Sequence, residues 1–163
     1  GRPELAQRGL ERALAEGDWS LRERRGQLLC LLVHAAVAGG DVECGREALR
    51  TLASDPQMLA NDALRAMHCG AQAEIAIADS DLALATRMLR QAVRRWREVG
   101  SPVGEAEARL RLAECLLRDR DVSGTDMELH AVESNLATAI APHRQRVAAM
   151  REALRGPQAR SGA

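Results

Sequence analysis

An all-α fold, built as a solenoid of repeated helical hairpins, is predicted by three features of this 163-residue chain. The first is its stock of core residues. There is no Phe or Tyr and there are only two Trp, so burial must come from Leu, Ala, Val, Ile and Met. A core dominated by Leu and Ala suits helices better than sheets. The second is periodicity: apolar residues recur at helical spacing between short breaks rich in Gly, Asp and Pro. The third is repetition. Asp41, Asp81 and Asp121 stand in such breaks at a constant interval of 40 residues, within the range of solenoid periods.

The elements follow in order. Pro3 suits a first helical turn, and Leu5, Leu10, Ala13 and Leu14 form a stripe over residues 3–16. Gly17-Asp18 ends that helix, and Asp18 or Ser20 can cap the next. Residues 19–38 read as a long helix, polar at first and apolar almost all round from Leu28 to Ala38. Such a segment must be covered on more than one side. Gly39-Gly40-Asp41 then supplies a turn and a cap for a helix over 41–54, with Val42, Ala48, Leu49 and Leu52 inward. Ser54-Asp55-Pro56 separates it from a helix over 57–78 carrying Leu59, Leu64, Met67, Ala71, Ile75 and Ala78. Asp79-Ser80-Asp81 repeats the turn before a helix over 82–99.

Gly100-Ser101-Pro102 breaks the chain again, and residues 103–118 follow with Ala106, Leu110, Ala113 and Leu117 on one face. Asp119-Arg120-Asp121 leads into a helix over 122–140, weakened by Gly124 and carrying Met127, Leu129, Val132 and Leu136. Pro142 starts a last helix, with Val147, Met150 and Leu154 inside, which Gly156-Pro157 ends. The expected organisation is one domain over 1–157, with repeats at 19–56, 57–99 and 102–140, flanking helices at 3–16 and 142–155, and a frayed tail over 158–163.

Composition narrows the function classes. The 46% hydrophobic and 28% charged content is that of a folded domain. All 23 basic residues are Arg, which suggests a GC-rich bacterial coding sequence, and the formal net charge is zero. Bulk attraction to nucleic acid or an anionic membrane is therefore not expected. No apolar run approaches the roughly 20 residues of a membrane span. Cys30, Cys44, Cys69 and Cys115 are scattered without a CxxC pair, and the first residues do not read as a signal peptide. The expectation is a cytoplasmic protein with reduced thiols. No GxxxxGK or GxSxG motif is present. Neither an enzyme nor a cofactor is expected.

The 40-residue repeat extends beyond the aspartates. Val33, Ala73 and Ala113 precede them by eight residues, Gly45, Ala85 and Thr125 follow by four, and Leu49, Leu89 and Leu129 follow by eight. Small residues on both helices of a hairpin allow close approach. With these columns the unit resembles a tetratricopeptide repeat. Its period is longer than the usual ~34 residues, and Leu, Cys or Ala stand where that repeat carries aromatics. Both traits resemble the divergent long repeats of bacterial LuxR- and MalT-type transcriptional regulators. Trp96 to Asp121, with Trp-Arg-Glu-Val-Gly-Ser-Pro leading into Glu-Ala-Arg-Leu-Arg-Leu-Ala-Glu, is similar to that class. In this register residues 3–16 read as the second helix of a repeat whose first helix is missing, as in a fragment of a larger protein, or else as an N-terminal cap.

The resemblance implies a non-catalytic interaction module that binds a protein, a peptide or a small effector in a concave groove lined by the first helices. By register that lining includes Gln27, Cys30 and His34, then Met67, Gly70, Glu74 and Ile77, then Glu107, Leu110, Glu114, Leu117 and Arg118. Its apolar and acidic character suits a partner with basic and apolar groups. Covering of the groove by terminal helices or by a second copy in a homodimer is the competing expectation. A free-standing scaffold is the alternative function, and a small-molecule or metal sensor around Cys30, His34 and Cys69 is the second. Cys30 and His34 have metal-ligand spacing, as does His68-Cys69, but the two pairs sit in different columns. Arg87, Arg90, Arg94 and Arg97 form a basic stripe, read as a solvated face with local pairs such as Arg94 with Glu98. No direct nucleic-acid contact is expected from it.

Overall fold

The computed structural model describes residues 2–17, 21–134 and 141–155, and every regular element among them is helical. In chain order these are α1 (Pro3–Glu16), α2 (Arg22–Gly39), α3 (Val42–Ala53), a short 3-10 helix (Pro56–Leu59), α4 (Asp62–Ala78), α5 (Leu82–Val99), α6 (Pro102–Arg118), α7 (Val122–Glu133) and α8 (Ala141–Arg155). Each helix from α1 to α8 packs on its successor, while α2 also packs on α4, and α6 on α8.

The turns show why the chain folds back where it does. Gly40, Ser80 and Arg120 all adopt positive φ, at 87°, 63° and 62°. The next residue's N–H reaches back to the preceding helix in each case: Asp41 to Ala36 at 2.9 Å, Asp81 to Ala76 at 2.8 Å, and Asp121 to Leu116 at 2.9 Å. Those bonds satisfy carbonyls that the helix end leaves open. The same aspartates then cap the next helix, accepting from the N–H groups of Cys44, Leu84 and Gly124. One acidic residue thus closes one helix through its backbone and starts another through its side chain. The break before α6 uses Gly100 at φ 72°, with Ser101 accepting from Gly104 N–H and Pro102 as first helical residue.

Only the first of the three matching turns has glycine at the left-handed position, and a side chain there costs about 1–2 kcal/mol. Arg120→Gly is expected to raise unfolding stability by about 0.5–1 kcal/mol, and Gly40→Ala to lower it by about 1 kcal/mol. Opposite shifts of the urea midpoint would report this.

Burial runs as three successive clusters. Leu29, Cys30, Val33, Ala48, Leu52, Met58 and Ile75 join α2, α3, the 3-10 helix and α4. Cys69, Ala73, Ala85, Leu89, Ala92, Leu112 and Cys115 join α4, α5 and α6. Ala106, Leu110, Ala113, Leu129, Val132, Val147 and Met150 join α6, α7 and α8. Helices α4 and α6 each serve two clusters with different faces, which is why their sequences look apolar over more than one stripe. Gly45 shows the close approach expected of the small-residue columns. A Cβ there would stand 3.0 Å from Ile75 and 3.7 Å from Val33.

The structure corrects several boundaries and faces. The helix expected over 57–78 is divided: Asp55 caps the 3-10 helix, and Asn61 accepts from Leu64 N–H to start α4 afresh. The helix expected over 122–140 stops at Glu133, where Ser134 N–H closes onto His130 O; residues 135–140, including Leu136, lie outside the described residues. Leu5, Ala78 and Met127 face solvent rather than the interior. The first residue of α2 is preceded by Leu21, which makes no side-chain cap. Asp18 and Ser20, and the tail over 158–163, are outside the described residues. Among the described residues no helix is long and apolar enough to cross a membrane.

Candidate partner-binding groove

A cavity of about 760 Å³ opens along one side of the helix array, lined from α2, α4, α5, α6 and α8. Its apolar walls include Leu31, Met67, Ile77, Leu89 and Trp96. Gly104 makes room for the last of these. A Cβ on Gly104 would fall 2.5 Å from the Trp96 ring, so the indole lies flat on a bare stretch of α6 backbone. Gly104→Ala is expected to push the ring toward solvent and to cost about 1–3 kcal/mol. In a Trp19→Phe background Trp96 is the sole indole, and a red shift of its emission would report the displacement.

The polar wall is a chain of alternating charge. His34 Nδ1 stands 3.7 Å from Glu74 Oε1. Arg111 forks onto both Glu74 oxygens, with its Nε donating to Oε1 at 2.7 Å, and its Nη1 donates to Glu114 at 2.7 Å. Arg146, arriving from α8, donates from Nη2 to Glu114 at 2.8 Å and from Nη1 to Glu107 at 2.7 Å. His143 Nε2 lies 3.3 Å from Glu107. The series His34–Glu74–Arg111–Glu114–Arg146–Glu107–His143 therefore ties α2, α4, α6 and α8 together.

Glu74 is the buried carboxylate of the series, 5% exposed. Burial pushes its carboxyl pKa upward, but His34 and Arg111 overcome that and hold it down at about 2. The Arg111 fork is the stronger contact, because 3.7 Å exceeds hydrogen-bond length. Burial disfavours the Arg111 cation, yet Glu74 and Glu114 leave its pKa above the ordinary guanidinium value. Each glutamate in the series has a cationic arginine neighbour. Arg118, at the C-terminal end of α6, is exposed on the same cavity and makes no ion pair among the described residues.

Of the residues expected from the sequence, His34, Met67, Gly70, Glu74, Ile77, Glu107, Glu114 and Arg118 line this one cavity. Three do not. Cys30 is fully buried among Leu29, Leu52 and Met58, and burial, with Cys69 nearby, pushes its thiol up to about 12. Leu110 is fully buried between α6, α7 and α8, with Leu117 packed beside it. Gln27 is exposed on a separate depression with Leu21, Arg24 and Gln57. Each error has one cause: α2 and α6 are apolar on several faces, and periodicity does not say which face a neighbour covers. The groove's acidic character also changes. Arg111 and Arg146, absent from the expected lining, neutralise its glutamates.

The metal-ligand spacing of Cys30 and His34 is not used as a pair, since the thiol points into the core and the imidazole toward Glu74. Among the described residues no group of three or more His, Cys, Asp or Glu side chains could hold a metal ion. The local pair expected between Arg94 and Glu98 is not formed; Arg97 pairs with Glu105 at 3.0 Å instead. No protein-family model matches the chain, and no curated protein matches its sequence.

Proposed function

We propose that this chain is a solenoid of long tetratricopeptide-like hairpins that holds a protein or peptide partner in its groove, as a regulatory module of a bacterial transcriptional regulator. The observation that carries the reading is the groove itself: an apolar floor beside a polar wall whose glutamates are already paired with arginines. Such a surface recognises apolar side chains and gives little to a strongly charged ligand. The three matching turns at Gly40, Ser80 and Arg120 support the repeat. The likeness of Trp96 to Asp121 to LuxR- and MalT-type regulators supports the regulatory role. Binding across α2, α4, α6 and α8 would bias the spacing of helices that the ion-pair series links, and through it the state of attached domains.

Peptide selection from a random phage-displayed library tests the groove. The wild-type chain is the bait, and Met67→Glu/Ile77→Glu is the counter-bait. Enriched peptides with apolar anchors that bind the wild type and not the variant are expected. No enrichment, or binding indifferent to the variant, would remove the groove from the proposal. The coding sequence flanking this chain tests the regulatory context. If no ATPase or DNA-binding region adjoins it, the reading becomes that of a free-standing adaptor.

A further inference from the structure

We propose that a second depression, between α5, α6 and α7, is a docking site for an acidic peptide segment of a partner protein, held by Arg87, Arg90 and Arg94. It lies on the face of α5 turned away from Leu89, Ala92 and Trp96, and encloses about 860 Å³. It is therefore independent of the groove described above.

The argument rests on which charges are already used. Arg87, Arg90 and Arg94 are exposed, line the depression, and make no ion pair with a carboxylate among the described residues. Their neighbours differ. Arg97 is held by Glu105 at 3.0 Å, and Arg109 by Glu105 at 2.9 Å and by Glu128. The carboxylates that could have neutralised the stripe are engaged elsewhere or do not reach it. Asp121 accepts from Gly124 N–H at 2.8 Å, and Glu128 faces Arg109. Asp119 stands on the far wall, and Glu98 makes no pair with Arg94. Three like charges thus share about 10 Å of helix with no ion-pair partner among the described residues. A ligand bearing carboxylates at matching spacing would relieve their repulsion.

The remaining lining selects among anions. Val93, Leu112 and Leu116 form an apolar floor that suits side chains of a peptide. On the α6 and α7 side Asp119 and Asp121 form an acidic wall beside the neutralised Arg109–Glu128 pair. A nucleic-acid backbone, uniformly charged and needing a broad basic track, would meet that wall. No aromatic residue lines the depression to stack a base. A peptide can place acidic groups on one edge and neutral or basic groups on the other.

The test is fluorescence anisotropy at low salt with a labelled helical peptide carrying Glu at i, i+3 and i+7 in an Ala/Gln host. Its all-Gln analogue and a single-stranded oligo-dT are the comparison probes. The Glu peptide is expected to bind, and the triple variant Arg87→Gln/Arg90→Gln/Arg94→Gln to weaken it by about 10- to 100-fold. The control variant Arg8→Gln/Arg24→Gln/Arg65→Gln removes as much charge from exposed sites elsewhere and is expected to leave affinity within about twofold. Circular dichroism melts of both variants establish that they fold. Absence of binding by the Glu peptide, equal binding of the all-Gln analogue, equal loss in both triple variants, or tighter binding of oligo-dT would each overturn the proposal.

Discussion

Arg111→Ala is expected to destabilise the protein by about 3–5 kcal/mol, because it strands a buried carboxylate rather than trimming a surface pair. Glu74 is 5% exposed, and Arg111 makes a two-pronged contact with it. Without that fork the remaining neighbour is His34 at 3.7 Å, and burial then dominates the carboxyl. For a chain of this length the loss corresponds to a drop in Tm of about 10 °C. Acid gives the loss a signature. In the wild type Glu74 is held at about 2, below its ordinary 4.5. Its stabilisation is therefore fully present above 4.5 and disappears as pH falls toward about 2. In Arg111→Ala the same carboxyl moves upward, so acid protonates it and relieves the variant. Urea midpoints of the two proteins should differ most at neutral pH and converge toward pH 3. Glu74→Gln/Arg111→Met, which removes both charges, should recover most of the loss. A gap that stays constant with pH would show that Arg111 acts through packing of its stem instead.

The helices were legible in the sequence because their ends are written in local chemistry. Asp41, Asp81 and Asp121 act as the caps their spacing indicated, and the Gly-Ser-Pro break at 100–102 supplies a left-handed turn, a cap and a first-turn proline in that order. The failures were tertiary. Apolar spacing over 57–78 runs on through the break, and the one local sign of it is Asn61, a residue that favours caps over helix interiors and accepts from Leu64 N–H to start α4. Within the groove, the acidic residues were visible and their partners were not. Arg111 reaches Glu74 from 37 residues away, and Arg146 reaches Glu107 from 39 away, on a helix whose placement no local signal sets. The place of Trp96 against Gly104 depends on how α5 crosses α6.

Leu110→Ala separates a core position from a groove position that the sequence alone had placed together. Leu110 is fully buried against Leu129, Val132, Val147 and Met150 on α7 and α8, so truncation removes apolar burial and leaves a cavity. The expected cost is about 2–5 kcal/mol. Met67, half-buried on the open cavity, has no such partners on its outer side. Met67→Ala is expected to cost less than about 1.5 kcal/mol. Chemical denaturation of the two variants would show the difference directly. Hydrogen exchange would show where it acts: Leu110→Ala should speed exchange in α8, because Val147 and Met150 lose the side chain they dock on. That loosening has a consequence for the site. Arg146 immediately precedes Val147 on the same helix and carries the ion-pair series to Glu107 and Glu114. A buried leucine that touches no ligand therefore governs whether the last link of the polar wall is held. If Leu110→Ala left α8 protection unchanged, α8 would be anchored by its arginine contacts alone, and the polar wall would be a cause of its docking rather than a product.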